Sequence, residues 1–218
     1  MELEENEHET MQSFLIAELQ HRIRNVLSLV QYLVVQTHSD TVTGYRDILN
    51  ARIRNLAEAY ELIVESDGHL VSPAEILERT LKPYAAVLQD RIQATGPDID
   101  LEPRLGLALH LIFHELATNA CKHGALASSS GQVEIVWSVL LEASNQKLII
   151  QWSESGGPEA REPQHKGFGL NLVTKILKDA EVGLSFERSG LICRISLGAC
   201  KFGAEPASID RPWMSNSS

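Results

Sequence analysis

MQSFLIAELQHRIRNVLSLVQYLVVQ, residues 11–36, decides how the first part of this chain is built. At about 100° per residue, Leu15, Ile16, Leu19, Ile23, Val26, Leu27, Val30, Leu33 and Val34 fall on one broad apolar stripe. No proline or glycine interrupts the run, so the spacing predicts a long amphipathic helix. His21 projects roughly 190° from the centre of that stripe on the same wheel, towards water or whatever docks there. Glu18, three residues earlier, and Asn25, four later, share its face and can reach it. Arg22 and Arg24 flank it. Taken alone, an outward histidine belongs to an ordinary solvated face; segments further along the chain change that balance.

Before this helix, residues 1–10 carry Glu2, Glu4, Glu5, Glu7 and Glu9 with no Lys or Arg. They predict a disordered acidic arm, too short for a folded sensor and the reverse of a signal peptide, which opens basic and then turns apolar. After it comes a polar break, Thr37–Gly44. A second periodic stretch starts near Val42, with Tyr45, Ile48, Leu49, Ile53, Leu56, Tyr60 and Ile63 on one face. Two long helices with matching stripes and a short connection predict an antiparallel hairpin over residues 11–66. A lone hairpin covers its stripe poorly, so a second copy is expected to complete a four-helix bundle in a homodimer. Glu65–His69 is a polar, glycine-containing break and marks the expected domain boundary.

With 218 residues, 44% apolar and 22% charged, the chain has the make-up of a soluble globular protein with one large or two modest domains. A net charge of −10 argues against a nucleic-acid partner. No apolar run is long enough to span a bilayer. Cys121, Cys193 and Cys200 form no ligand or disulfide spacing, which suits a reducing cytoplasmic setting.

Ser72-Pro73-Ala74-Glu75 is a capping box with proline at the first helical position, so a helix starts there, and Pro83 kinks or ends it. Arg91–Thr95 alternates as a strand does, Gly96-Pro97 turns the chain, and Ile99 and Leu101 suggest a short return strand. Pro103 opens a long helix to about Gly124, whose glycine suits a C-terminal cap. Ser128–Gly131 reads as a flexible link. Gln132–Leu141 and Lys147–Trp152 read as buried strands, Glu154–Gly169 as a loop, Leu170–Leu177 as helix, and Val182–Glu187 with Leu191–Leu197 as a hairpin. Residues 70–199 thus form a mixed domain of about 130 residues, a common size, and 200–218 a mobile tail.

Three stretches carry chemistry. In His114-Glu115-Leu116-Ala117-Thr118-Asn119-Ala120-Cys121-Lys122-His123-Gly124, the residues Glu115, Asn119 and Lys122 share one helix edge. An amide oxygen helps hold Mg²⁺, an ammonium neutralises phosphate, and a carboxylate orders water or accepts a proton. The ordinary polar edge of an amphipathic helix is an equal alternative for this fragment alone. Gln151-Trp152-Ser153-Glu154-Ser155-Gly156-Gly157-Pro158 ends a strand in a carboxylate able to accept adenine's exocyclic amine, with glycines that let the ring approach the backbone. Gly167-Phe168-Gly169-Leu170 opens a helix whose N–H groups and dipole suit phosphate. Each is weak singly; in this order and spacing they are strong together.

These segments resemble the N, G1 and G2 boxes of a histidine-kinase ATPase domain, and more closely the HWE subfamily, marked by a histidine in the N box and Trp-x-Glu in G1. His114, Trp152 and Glu154 stand where those markers belong. Glu18–Asn25 resembles the phosphoacceptor helix of the related HWE and HisKA_2 kinases, so the likeness covers approximately residues 12–198. The resemblance implies an α+β chain in which the helical hairpin precedes a GHKL-type (Bergerat) α/β sandwich. It implies an ATP- and Mg²⁺-dependent protein-histidine kinase that phosphorylates itself on His21 and passes the group to a response-regulator aspartate. It further implies Asn119 as Mg²⁺ ligand, Glu115 as catalytic acid, Lys122 as phosphate contact and Glu154 as adenine reader. Gly156, Gly157, Gly167 and Gly169 would shape the pocket and lid, with His123, Lys166, Phe168 and Leu170 lining it; Trp152 belongs to the same set but, at a strand end, reads as packing over ligand contact by about two to one. Arg161 and Lys166 supply the cations of that short lid.

Where many kinases outside this group carry an acid directly after the phosphoacceptor, this chain has Arg22; Glu18 is the candidate base by geometry. Asn25, one turn on, is placed to orient water for the reverse, phosphatase reaction. The rival readings are a phosphotransfer or scaffold protein with a degenerate ATP pocket, and a GHKL-type protein-serine kinase.

Overall fold

The computed structural model describes residues 2–65, 71–85, 89–142, 145–161, 180–198 and 208–209. The chain divides into two units, Met1–Arg54 and Asn55–Ser218. Helix α1 spans Glu2–Gln36 and α2 spans Val42–Glu65. Helix α1 therefore includes the acidic stretch expected to be disordered; glutamate is a good helix former, and no breaker separates it from the apolar run. Around the connection, Tyr45 Oη donates to the Val34 carbonyl at 3.0 Å and Arg52 Nη1 to Thr37 Oγ1 at 2.8 Å. Leu33 is buried there, yet Ile16, Leu19, Ile23 and Leu27 each remain 55–59% exposed. The stripe read from the spacing is present, and within one chain it is open.

The second unit begins at Asn55, inside α2; residues 66–69 of the break expected as the domain boundary lie outside the described residues. Leu56 and Ala59 are buried, so the end of α2 belongs to the second unit. Helix α3, Pro73–Leu81, begins as its capping box predicts: Ser72 Oγ accepts from the Glu75 N–H at 3.2 Å. Lys82–Tyr84 continues as a 3₁₀ turn around Pro83. Strand β1, Ile92–Pro97, takes in the Gly96-Pro97 expected to turn. Instead of forming a return strand, Leu101 makes a single antiparallel bridge to Val71. Helix α4, Pro103–Lys122, crosses from β1 to β2, Gln132–Glu142. These two strands pair in parallel, which requires such a crossover. Strands β3 (Asn145–Ser155), β4 (Ala180–Glu187) and β5 (Gly190–Leu197) add antiparallel pairings.

Ser208–Ile209, in the stretch expected to be a mobile tail, forms β6 against Gly96–Pro97. The sheet order is β4-β5-β3-β2-β1-β6. The strands expected to be buried are so on one face: Val133, Ile135 and Trp137 are buried while Glu134, Val136 and Ser138 are exposed. Against the buried face lie Ile76, Leu77 and Leu81 of α3 and Leu109, Ile112, Phe113 and Leu116 of α4. Each fully buried side chain of this kind contributes about 1.5–3 kcal/mol. The packing fixes α4 over the sheet, so its C-terminal end and the end of β3 share one site.

Candidate functional site

On β3, Trp152 and Glu154 are two apart and therefore share a face. That face is the inner one: Trp152 is 0% and Glu154 5% exposed. A buried carboxylate needs donors, and this one has two. The Trp152 indole N–H donates to Oε1 at 3.1 Å, and the Ala125 main-chain N–H donates to Oε2 at 2.8 Å. Burial holds the Glu154 carboxyl above the ordinary carboxylate range, and the Ala125 and Trp152 bonds oppose that shift. The group that the sequence marked as an amine acceptor is buried with two donors and has lone pairs to spare, since an ionised carboxylate offers about four acceptor positions.

Helix α4 ends beside it. Asn119 and Lys122 are exposed and Glu115 is half-buried, while the Asn119 carbonyl accepts from the N–H groups of His123 (2.8 Å) and Gly124 (3.0 Å). His123, exposed, is the capping residue. Gly124 is not the left-handed cap its position suggested, because its φ is −103°. A Cβ there would run into Glu154 Oε2, so the glycine makes room for the carboxylate.

The paired glycines of the next turn sit close against neighbouring backbone. Gly156 has φ +71°, a conformation that favours glycine, and a Cβ on it would crowd the Ser130 carbonyl. A Cβ on Gly157 would meet the Ala125 backbone. Both glycines let the turn after β3 close on the segment that donates to Glu154. Trp152 is wholly inside the core, the packing role its strand-end position favoured, and its N–H reaches Glu154. Lys166, Gly167, Phe168, Gly169 and Leu170 lie outside the described residues; Arg161 is exposed.

A second face of α4 carries polar residues that the spacing left unassigned. Tyr84, from the 3₁₀ turn, shares a hydrogen bond with Thr118 Oγ1 at 2.9 Å and lies 3.5 Å from His114 Nε2. His114 Nδ1 is buried with no hydrogen-bond partner among the described residues. Burial, with the Lys122 charge behind it, lowers the pKa of this imidazole. His110 is buried between Thr80 Oγ1 (2.9 Å from Nδ1) and Asn55 Oδ1 (3.1 Å from Nε2). Neither Tyr84 nor Asn55 gave any local signal; each comes from a segment distant in sequence.

In the first unit, His21 is exposed on α1, and Asn25 Nδ2 lies 3.4 Å from its Nδ1. Nε2 is thus the ring nitrogen without that neighbour. The side chains of Glu18 and Arg22 lie outside the described residues. Among the described residues no group of three His, Cys, Asp or Glu side chains could hold a metal ion. A cation bound through the Asn119 amide oxygen would take its remaining ligands from phosphate and water, the coordination Mg²⁺ prefers. No helix among the described residues is long and apolar enough to cross a membrane.

Comparison with known proteins gives these features a setting. Residues 18–98 match the HWE histidine kinase family. The chain is 30% identical over 194 residues to a blue-light-activated histidine kinase of Brucella ovis, a match covering 87% of this chain and 40% of that protein. The relative in Brucella anthropi matches equally well, with 30% identity over 195 residues. This chain therefore spans 40% of the length of the curated relatives it matches. Among solved structures, the Erythrobacter litoralis blue-light activated histidine kinase superposes with a TM-score of 0.57 at 21% identity, covering 84% of this chain and 58% of that one. That likeness establishes a shared fold.

Proposed function

Because this chain belongs to the HWE histidine kinase family, we propose that it transfers the terminal phosphoryl group of ATP to His21. From there the group passes to an aspartate of a response-regulator receiver domain. The observation that carries this reading is the exposed imidazole of His21 on α1, inside the stretch that matches the family.

In the proposed step a lone pair on the imidazole attacks the γ-phosphorus, the bond to the ADP oxygen breaks, and the ring proton leaves to base. Nε2, the nitrogen away from Asn25, would attack in the tautomer that carries the proton on Nδ1, with the Asn25 amide turned so that its oxygen accepts from Nδ1–H. Neutral imidazole is a competent nucleophile, and phosphoryl transfer asks mainly for positioning and charge neutralisation. Asn119 would hold Mg²⁺, Lys122 would neutralise phosphate charge, and Glu115 or Glu18 would order or accept the proton. Glu154 would accept the 6-amino group of adenine. Gly167 and Gly169 would shape the lid over the phosphates. Asn25 would also orient water for removal of phosphate from the partner. The open stripe of α1 would pair with a second copy.

The test is incubation of the chain with γ-labelled ATP, wild type against His21→Ala. The label is expected on wild type alone and to be lost in acid while surviving base, as phosphohistidine is. Label that persists in His21→Ala, or that resists acid as phosphoserine does, overturns the assignment. A titration showing no ATP binding would instead favour a phosphotransfer protein with a degenerate pocket.

A further inference from the structure

We propose that Trp152 is a positioning residue for nucleotide selectivity: its indole N–H, with the Ala125 amide, keeps Glu154 an acceptor-only carboxylate that takes adenine and turns guanine away. This rests on the reading of Glu154 as the adenine contact. Adenine offers a 6-amino donor where guanine offers a 6-oxo acceptor. An ionised carboxylate can only accept, so it pairs with the first and repels the second; a protonated one could donate to the second. Selectivity between the two bases therefore depends on the protonation state of one buried side chain.

The surroundings are built to hold that state. Glu154 is 5% exposed, and burial alone would drive it towards the neutral acid. Opposing this are the indole and main-chain donors, one on each oxygen, at 3.1 and 2.8 Å. Neither can be redirected easily. Trp152 is fully buried, and it sits in the sheet between Ile135 and Cys193 in register. Ala125 is gripped by the turns at Gly131 and Gly157, where a Cβ on either would collide with it. Gly124 leaves the space that Oε2 occupies. The titratable side chain that faces Glu154 from α4 is Cys121, whose thiol is pushed up by burial and so adds no negative charge near neutral pH. The fixed partner of the carboxylate is thus an N–H group on an immobile ring. The tryptophan acts through Glu154 without touching the nucleotide.

The experiment is calorimetric titration of the full 218-residue chain with ATP and with GTP at a series of pH values from neutral down to the limit at which the fold is kept, for wild type and Trp152→Phe. Circular dichroism at each pH monitors the fold. Wild type is expected to prefer ATP. Loss of a hydrogen bond to a charged group should weaken ATP binding about tenfold at neutral pH and narrow the preference over GTP. The pH below which ATP binding fails should also rise, because the carboxylate now protonates more readily. In a Glu154→Gln background the Trp152→Phe change should have no further effect on selectivity. Phenylalanine removes volume as well as the N–H, so a second variant carries benzothienylalanine in place of Trp152, which keeps the ring shape and replaces N–H with sulfur. If both variants keep wild-type affinity, preference and pH profile, Trp152 has no such role, while the adenine reading of Glu154 stands. If wild type fails to bind ATP or fails to prefer it, that underlying reading falls and this inference with it.

Discussion

Two glycines of the same helix region show what a single Cβ decides. Gly106 lies within α4, and a Cβ there would meet only Ile76 Cδ1 at 3.5 Å, an ordinary contact. Gly106→Ala should therefore stabilise the chain by about 0.5–1 kcal/mol through helix propensity and a less flexible unfolded state. At Gly124 the same methyl group would occupy the position of Glu154 Oε2. Gly124→Ala should displace the carboxylate from the Ala125 amide and weaken ATP binding by about tenfold or more. Denaturant unfolding and nucleotide titration of the two variants check both statements. A Gly124→Ala chain that binds ATP normally would show that the carboxylate position is not what matters. The sequence marked Gly124 as a helix cap because a glycine after a helical run usually is one. Its real constraint comes from Glu154, far along the chain, and no local pattern carries that. Glu154 itself was legible, since a carboxylate followed by two glycines at a strand end is a local signal. Its indole donor two residues back was legible only as a family marker.

At the level of elements, helix starts and strand alternation were readable because their causes are local: Ser72, Pro73 and Glu75 set the start of α3 within four residues. What joins the elements was not readable. Asn55 on α2, Thr80 on α3 and His110 on α4 form one buried hydrogen-bonded set, assembled from three segments with no shared spacing. Its imidazole is held at a pKa of about 4 by burial, with the neighbouring His114 adding to the effect. The folded-state value lies below the ordinary histidine value of about 6.5, so the unfolded chain binds the proton first. Stability is then fully present above about pH 6.5 and declines as pH falls towards 4, where the folded state finally takes the proton. Urea midpoints measured across this range should fall with decreasing pH. His110→Gln, which keeps an amide able to bond Asn55 or Thr80, should flatten the decline. Other carboxylates and histidines contribute to the wild-type slope, so the difference between the two curves is the readout. Identical slopes would mean that His110 titrates normally.

For the whole molecule, the open question set by the amino-acid pattern is what covers α1. Its spacing made the apolar stripe legible, but a stripe says only that something must be buried, and the partner surface is not written in the same stretch. Ile16, Leu19, Ile23 and Leu27 are more than half exposed in the single chain, at spacings of three and four residues that form a coiled-coil seam. Two copies meeting along this seam would bury eight such side chains. With roughly half of each already covered, the gain is about 6–12 kcal/mol, against an association cost of about 4–15 kcal/mol. The seam alone is marginal, so Val42, Ile48 and Ile53 of α2, also exposed, are needed for a stable pair. A marginal interface is sensitive to one charge. Light scattering coupled to size separation should give twice the chain mass of 24.1 kDa for wild type at micromolar concentration, and a monomer for Ile23→Asp. ATP affinity should be unchanged in that variant, because Asn119, Ala125 and Glu154 all belong to the unit from Asn55 onwards. A wild-type monomer at high concentration would remove the dimer and leave the stripe to a different partner. A dimer that survives Ile23→Asp would place the interface on another surface of the chain.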